Sequence, residues 1–98
     1  MSRHLNLLPA AAADLAEARD WYDERREGLG REFIGEVDDA LRLILENPEW
    51  HPAEFQSIRR AQVRRFPYIV YCRIQREHLE VLAILHSKRN PRVWRSRA

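Results

Sequence analysis

Two apolar strand-like runs separated by a short polar turn constrain this chain more than any other feature. The first reads Arg64-Arg65-Phe66-Pro67-Tyr68-Ile69-Val70-Tyr71-Cys72-Arg73-Ile74. The second reads Leu79-Glu80-Val81-Leu82-Ala83-Ile84-Leu85-His86 and continues into Ser87-Lys88-Arg89-Asn90-Pro91. Runs so arranged form an antiparallel hairpin, which carries Arg64, Arg65, His86, Lys88 and Arg89 to one end of a small sheet. An anionic partner would bind there. The charge layout points the same way. Residues 1–49 hold six arginines against twelve carboxylates, a net of −6, while residues 50–98 hold eleven cations against three, a net of +8. Such asymmetry points to nucleic acid or to an acidic protein.

The hairpin needs a cover, and the first half of the chain supplies it. Residues 3–8 alternate enough for a short strand. Pro9 then suits a first helical turn, where its missing N–H costs nothing. Ala11, Leu15, Ala18 and Tyr22 recur at helical spacing with Trp21 beside them, and Asp14, Glu17, Asp20 and Glu24 form a charged opposite face. Gly28-Leu29-Gly30 ends that helix. A second helix shows an apolar stripe of Phe33, Val37, Leu41 and Ile44, widened by Ile34, Ala40 and Leu45, and Asn47-Pro48 closes it. Residues 49–57 have no periodicity and read as loop. A strand is expected over 58–63, then a bend at Phe66-Pro67. The order predicts an α+β layer in one domain spanning 1–98, with an N-terminal strand and a helical hairpin on one face of a small, mostly antiparallel sheet.

Register follows from burial. A two-residue turn at Glu77-His78 pairs Ile74 with Val81 and Val70 with Leu85, so purely aliphatic faces meet under the helices. A slip of one residue would bury Glu80 opposite Ile74. Ile69 then opposes His86, with Tyr71 diagonal to it, on a second face too apolar to stand bare.

Other classes are disfavoured. No apolar run approaches the ~20 residues that cross a bilayer. No charged start leads into an apolar stretch, so a cytoplasmic location is expected. Cys72 is alone and lies in an apolar run. His4, His51, His78 and His86 lack metal-ligand spacing. No metal and no cofactor are expected. Of seventeen basic residues only Lys88 is lysine. Arginine binds phosphate and carboxylate well but is a poor proton carrier.

Taken in order, these residues resemble the RelE/ParE toxins of bacterial type II toxin–antitoxin systems. The resemblance covers nearly the whole chain. It rests on Trp21-Tyr22, Gly28-Leu29-Gly30 before Phe33, Asn47-Pro48, Arg64-Arg65-Phe66-Pro67-Tyr68, and Val81-Leu82-Ala83-Ile84-Leu85-His86 followed by Arg89-Asn90-Pro91 and Trp94. It implies a growth-inhibiting toxin held inactive by a cognate antitoxin, which would lie over the second sheet face at Ile69, Tyr71, Arg73 and Trp94. Two targets are open within the family. ParE-like members poison DNA gyrase; RelE-like members cleave mRNA on the ribosome without a metal.

Individual residues bear on that choice. An imidazole titrates near neutrality, so His86 suits a general acid or base; the plainer alternative is a polar strand end. Tyr71 and Trp94 are either stacking platforms or packing. Arg59, Arg60, Arg64, Arg65, Lys88 and Arg89 are expected to form an anion-binding patch, because clustered cations repel unless an anion relieves them. RelE-like ribonucleases commonly use several lysines and a C-terminal tyrosine, where this chain has Lys88 alone and Trp94. Other ribonuclease members use glutamate, histidine and arginine, and Glu54, Arg65 and His86 keep that alternative open, with Arg64 and Arg89 on the phosphate. The set favours a ParE-like inhibitor of gyrase.

Overall fold

The computed structural model describes residues 4–76 and 78–98, apart from the side chain of Glu54. In chain order it runs β1 (His4–Leu7), α1 (Pro9–Arg25), α2 (Leu29–Glu46), a 3-10 turn (Pro48–Trp50), β2 (Ala53–Phe55), β3 (Ile58–Gln62), β4 (Tyr68–Gln75), β5 (His78–His86) and α3 (Pro91–Arg95). The sheet order is β1-β5-β4-β3-β2. β1 lies parallel to β5, and the other neighbours are antiparallel. The helical hairpin covers one face, as the sequence pattern predicts.

Local chemistry explains the hairpin. Pro9 opens α1, and Gly28, with φ 86°, supplies the left-handed turn into α2 that other residues resist. Gly30 marks a close approach of the two helices: a Cβ there would sit 2.5 Å from the Arg19 carbonyl oxygen. The Gly30 N–H donates to Asp23 Oδ1 at 2.7 Å across that approach. Phe33, Val37, Ala40, Leu41 and Ile44 of α2 pack with Ala11, Ala18 and Tyr22 of α1 onto Val70, Cys72, Leu79, Val81 and Ile84 of the sheet. Tyr22, Phe33, Phe66 and Tyr68 form an aromatic nest with centroids 4.8 to 6.0 Å apart. Each such contact adds roughly 0.5–1.5 kcal/mol beyond burial.

Several expectations fail, each for a physical reason. The segment 49–57 is not all loop: it holds the end of the 3-10 turn and all of β2. A three-residue edge strand is held by backbone pairing and needs no side-chain period. Trp21 is not core but 49% exposed. It lies ~100° round the helix from Tyr22, at the edge of the buried stripe, with the Arg25 guanidinium carbon 3.4 Å from its ring centre. Asp14 does not belong to the solvated face, since its side chain is only 13% exposed.

The β4–β5 register also differs. Gln75 pairs with His78 and Ile74 with Leu79, so the turn sits one residue earlier than expected, at Arg76 with φ 52°. Glu77, and Arg3 at the expected start of β1, lie outside the described residues. Further along, Tyr71 pairs with Ala83 but Cys72 with Val81, leaving Leu82 as an extra residue in β5. This β-bulge breaks the alternation. Leu82, Ala83 and Leu85 join the second face, while Ile84 joins the helix face. His86 therefore opposes Tyr68 rather than Ile69.

The second face is covered from within the chain. α3 folds back so that Trp94, 3% exposed, stacks on Tyr71 with ring centres 4.6 Å apart and planes 14° from parallel. Ile58, Ile69, Leu82, Ala83 and Leu85 complete this smaller core.

Candidate functional site

Two turns meet at the β4 start and β5 end. Residues 63–67 form a tight connection in which Arg65 takes φ 69°. Gln62 Nε2 donates to the carbonyls of Val63, Phe66 and Tyr68 at 3.0 to 3.2 Å and fixes its path. The Ser87 N–H donates to the Pro67 carbonyl at 2.8 Å, docking the 87–89 turn beside it. Arg64, Arg65, Lys88 and Arg89, all exposed, thus occupy neighbouring turns.

The expected six-cation patch is nevertheless divided. Arg65 reaches back to α2, its Nη2 2.8 Å from Glu32 Oε1 and its Nη1 3.5 Å from Glu36 Oε2. Hydrogen bonding to Arg65 holds the Glu32 carboxyl below its usual range. Arg59 donates to the carbonyls of Pro48 and His51 at 3.0 and 2.7 Å and holds the 48–51 turn. Arg60 lies further along β3, 5.7 Å over the Tyr71 ring. Arg73, expected on a docking surface, pairs with its cross-strand neighbour Glu80 at 3.3 Å. Ile69, Tyr71 and Trp94 are 5%, 3% and 3% exposed, so in this conformation α3 closes them off from any partner.

The residues named for RNA cleavage stand on different elements with different neighbours. Glu54 sits in β2, three strands from β5, and its side chain lies outside the described residues. Strand spacing of about 4.8 Å puts the two strands roughly 14 Å apart. Arg65 is engaged by α2 carboxylates, and His86 faces α1.

His86 opens onto a feature the sequence did not reveal. A cleft of about 420 Å³ lies between α1 and the end of β5, lined by Glu17, Trp21, Tyr22, Tyr68, His86 and Arg89 among others. The Tyr68 and His86 rings meet at 5.5 Å, edge to face. The Lys88 N–H donates to His86 Nδ1 at 3.1 Å, which leaves the ring proton of the neutral form on Nε2. Desolvation first, then the Glu17 charge, raises the Tyr68 hydroxyl above its usual value of 10.0, and Arg89 opposes that rise. Tyr68 therefore stays a neutral donor.

Below the cleft, the bulge is tied to both ends of the fold. β1 pairs with β5 only through Val81. Beyond it, Asp14 Oδ2 accepts the Ile84 N–H at 3.1 Å, and Arg97 Nη1 donates to the Leu82 carbonyl at 3.1 Å. Asp14 and Arg97 are themselves joined at 2.6 and 3.3 Å. Neither pairing was foreseeable, because it depends on the bulge. Cys72 matches expectation as a buried thiol, pushed up to about 12 by burial. Among the described residues no three His, Cys, Asp or Glu side chains gather in a way that could hold a metal ion, and no helix is long and apolar enough to cross a membrane.

A helical hairpin on a five-stranded sheet, with a short tail helix closing the far face, defines an α+β class of protein. The family described as ParE toxin of type II toxin-antitoxin system, parDE, matches residues 5–91, and the chain belongs to it. Toxin ParE2 of Mycobacterium tuberculosis (strain CDC 1551 / Oshkosh) is 29% identical over 92 residues, covering 93% of this chain and 88% of that protein. Toxin ParE2 of strain ATCC 25618 / H37Rv matches equally, at 29%. A solved structure described as chromosomal ParDE TA system from P. aeruginosa superposes with a TM-score of 0.74 at 18% identity, covering 86% of this chain and 95% of that one. The chain is the toxin component of a type II toxin–antitoxin system.

Proposed function

We propose that this toxin acts by binding DNA gyrase, without covalent chemistry, and that a cognate antitoxin keeps it silent. The observation that carries this reading is the separation of the residues a ribonuclease would need: Arg65 on α2 carboxylates, His86 against α1, and Glu54 on the far edge strand. Metal-free cleavage needs an acid, a base and a phosphate clamp converging within hydrogen-bond reach of one reacting group. Binding needs only a complementary surface. Arg64, Lys88 and Arg89 on the adjoining turns supply a cationic one. The antitoxin partner is supported by family membership and by the toxin–antitoxin description of the similar structure.

Expression without antitoxin should arrest growth and induce a DNA-damage response while bulk mRNA stays intact. Early mRNA loss with normal gyrase activity would point to the ribosome instead. The His86→Ala variant separates the mechanisms further: under the binding account it remains toxic, whereas a ribonuclease relying on that imidazole would lose about 10²–10⁴-fold.

A further inference from the structure

The antitoxin receptor expected from the sequence, the second sheet face, is closed by α3, while the α1–β5 cleft is open. We propose that this cleft is the antitoxin's anchor pocket. It takes one large apolar side chain against Trp21, Tyr22 and Pro67, with a neighbouring carboxylate on His86, Tyr68 and Arg89. The inference rests on the toxin–antitoxin reading and adds to it the place and chemistry of contact.

Volume, surface character and charge support the assignment. At about 420 Å³ the cleft lies within the range of pockets that bury most of a small ligand, roughly 300–1,000 Å³. Trp21 stands half exposed at its mouth, a large aromatic of the type that dominates interface energetics. Polar groups are distributed unequally. The β-sheet side offers donors: the guanidinium of Arg89, the hydroxyl of Tyr68 and, because Nδ1 is engaged by the Lys88 N–H, Nε2 of His86. On the helix side Asp14 is already paired with Arg97 and the Ile84 N–H. Glu17 is therefore the carboxylate that orients a ligand, repelling an anion from α1 and steering it toward Arg89. A polyanionic strand suits the cleft poorly, because its phosphates would run past Glu17 and the acidic helical hairpin. A single carboxylate beside an apolar body suits it well, and an acidic amphipathic segment presents that combination.

Two probes test this. 3-Phenylpropionate and 2-phenylethylamine share an apolar body and differ in charge sign. Titrated separately, the carboxylate should shift the indole N–H resonance of Trp21 and the ring signals of His86, leaving Trp50 and Trp94 unmoved, and the amine should do neither. Arg89→Ala should weaken the carboxylate at least fivefold. Glu17→Gln should tighten it about two- to fivefold, as loss of a nearby like charge predicts, a gain that a merely structural role would not produce. With the cognate antitoxin as partner, Trp21→Ala should weaken complex formation at least thirtyfold while circular dichroism stays native. Equal binding of the amine, or a silent Trp21, overturns the proposal. So does a DNA or RNA oligonucleotide that shifts Trp21 and His86 where phenylpropionate does not. A complex indifferent to Trp21→Ala overturns the pocket but leaves the toxin–antitoxin reading standing. Failure of the unaltered chain to bind that partner overturns both.

Discussion

The two faces of the sheet are covered by very different means. The inner face lies under thirty-five residues of helix, seventeen in α1 and eighteen in α2, with an apolar stripe running the length of α2. The outer face lies under five residues of α3, fixed by Trp94 on Tyr71 and by Arg97 on Asp14. Burial is nearly complete on both, yet the first cover is spread over two long helices and the second rests on one short helix and the residues beside it. Such a difference predicts different cooperativity. A core shared by many side chains opens only as a whole, whereas a cover of one short terminal helix can detach locally.

The largest effect should come from the inner face. Phe33→Ala removes a fully buried ring from the aromatic nest and should lower global stability by about 3–5 kcal/mol in denaturant unfolding. Trp94→Ala deletes more surface, but α3 can move away from the defect, so at most about 3 kcal/mol is expected. Its signature should be local: amides of residues 91–98 lose exchange protection while Val70 and Ile84 keep theirs. Uniform loss across the molecule would show that the tail belongs to the main core and would break the comparison.

Next in size is the tie between the ends of the chain. Asp14→Asn and Arg97→Ala should each cost about 1–3 kcal/mol, because each leaves a half-buried charge or a backbone group without its partner. A double-mutant cycle should show strong coupling between them. Additivity would mean that they act separately on the bulge.

The smallest effect belongs to the exposed Arg65–Glu32 pair, and its sign depends on pH. Arg65 lowers the Glu32 carboxyl below 4.5 in the folded chain. The contribution is therefore present above pH 4.5 and lost as pH falls through the lower folded value. The stability difference between the unaltered chain and Arg65→Ala should thus be small near neutrality and vanish in acid. A difference that persists in acid would mean that Arg65 acts through its contact with the Phe66 ring rather than through the carboxylates.

These contrasts also explain what the sequence revealed. A strong, regular period specified α2, and alternation specified the inner-face residues of β4; α1 was bounded by Pro9 and Gly28 rather than marked by a strong stripe. Single events had no such signal. The bulge at Leu82 adds one residue to β5, yet it moves His86 from the face shared with Tyr71 to the face shared with α1. With it the expected site dissolves and the cleft beside Trp21 forms. β2 is three residues long, too short for periodicity to register. The sequence left Trp94 between packing and a stacking platform, because its position over Tyr71, and hence the closure of the second face, depends on a tail whose five helical residues have no stripe. The cations were visible as residue types; their partners on α2 and on the 48–51 turn required coordinates.

The account as a whole is tested most directly with the purified chain in a DNA supercoiling reaction driven by gyrase. It predicts inhibition that rises with toxin concentration, persists in His86→Ala, and disappears when the cognate antitoxin is added first. Undiminished supercoiling by gyrase, together with cleavage of mRNA on ribosomes by the same preparation, would contradict it.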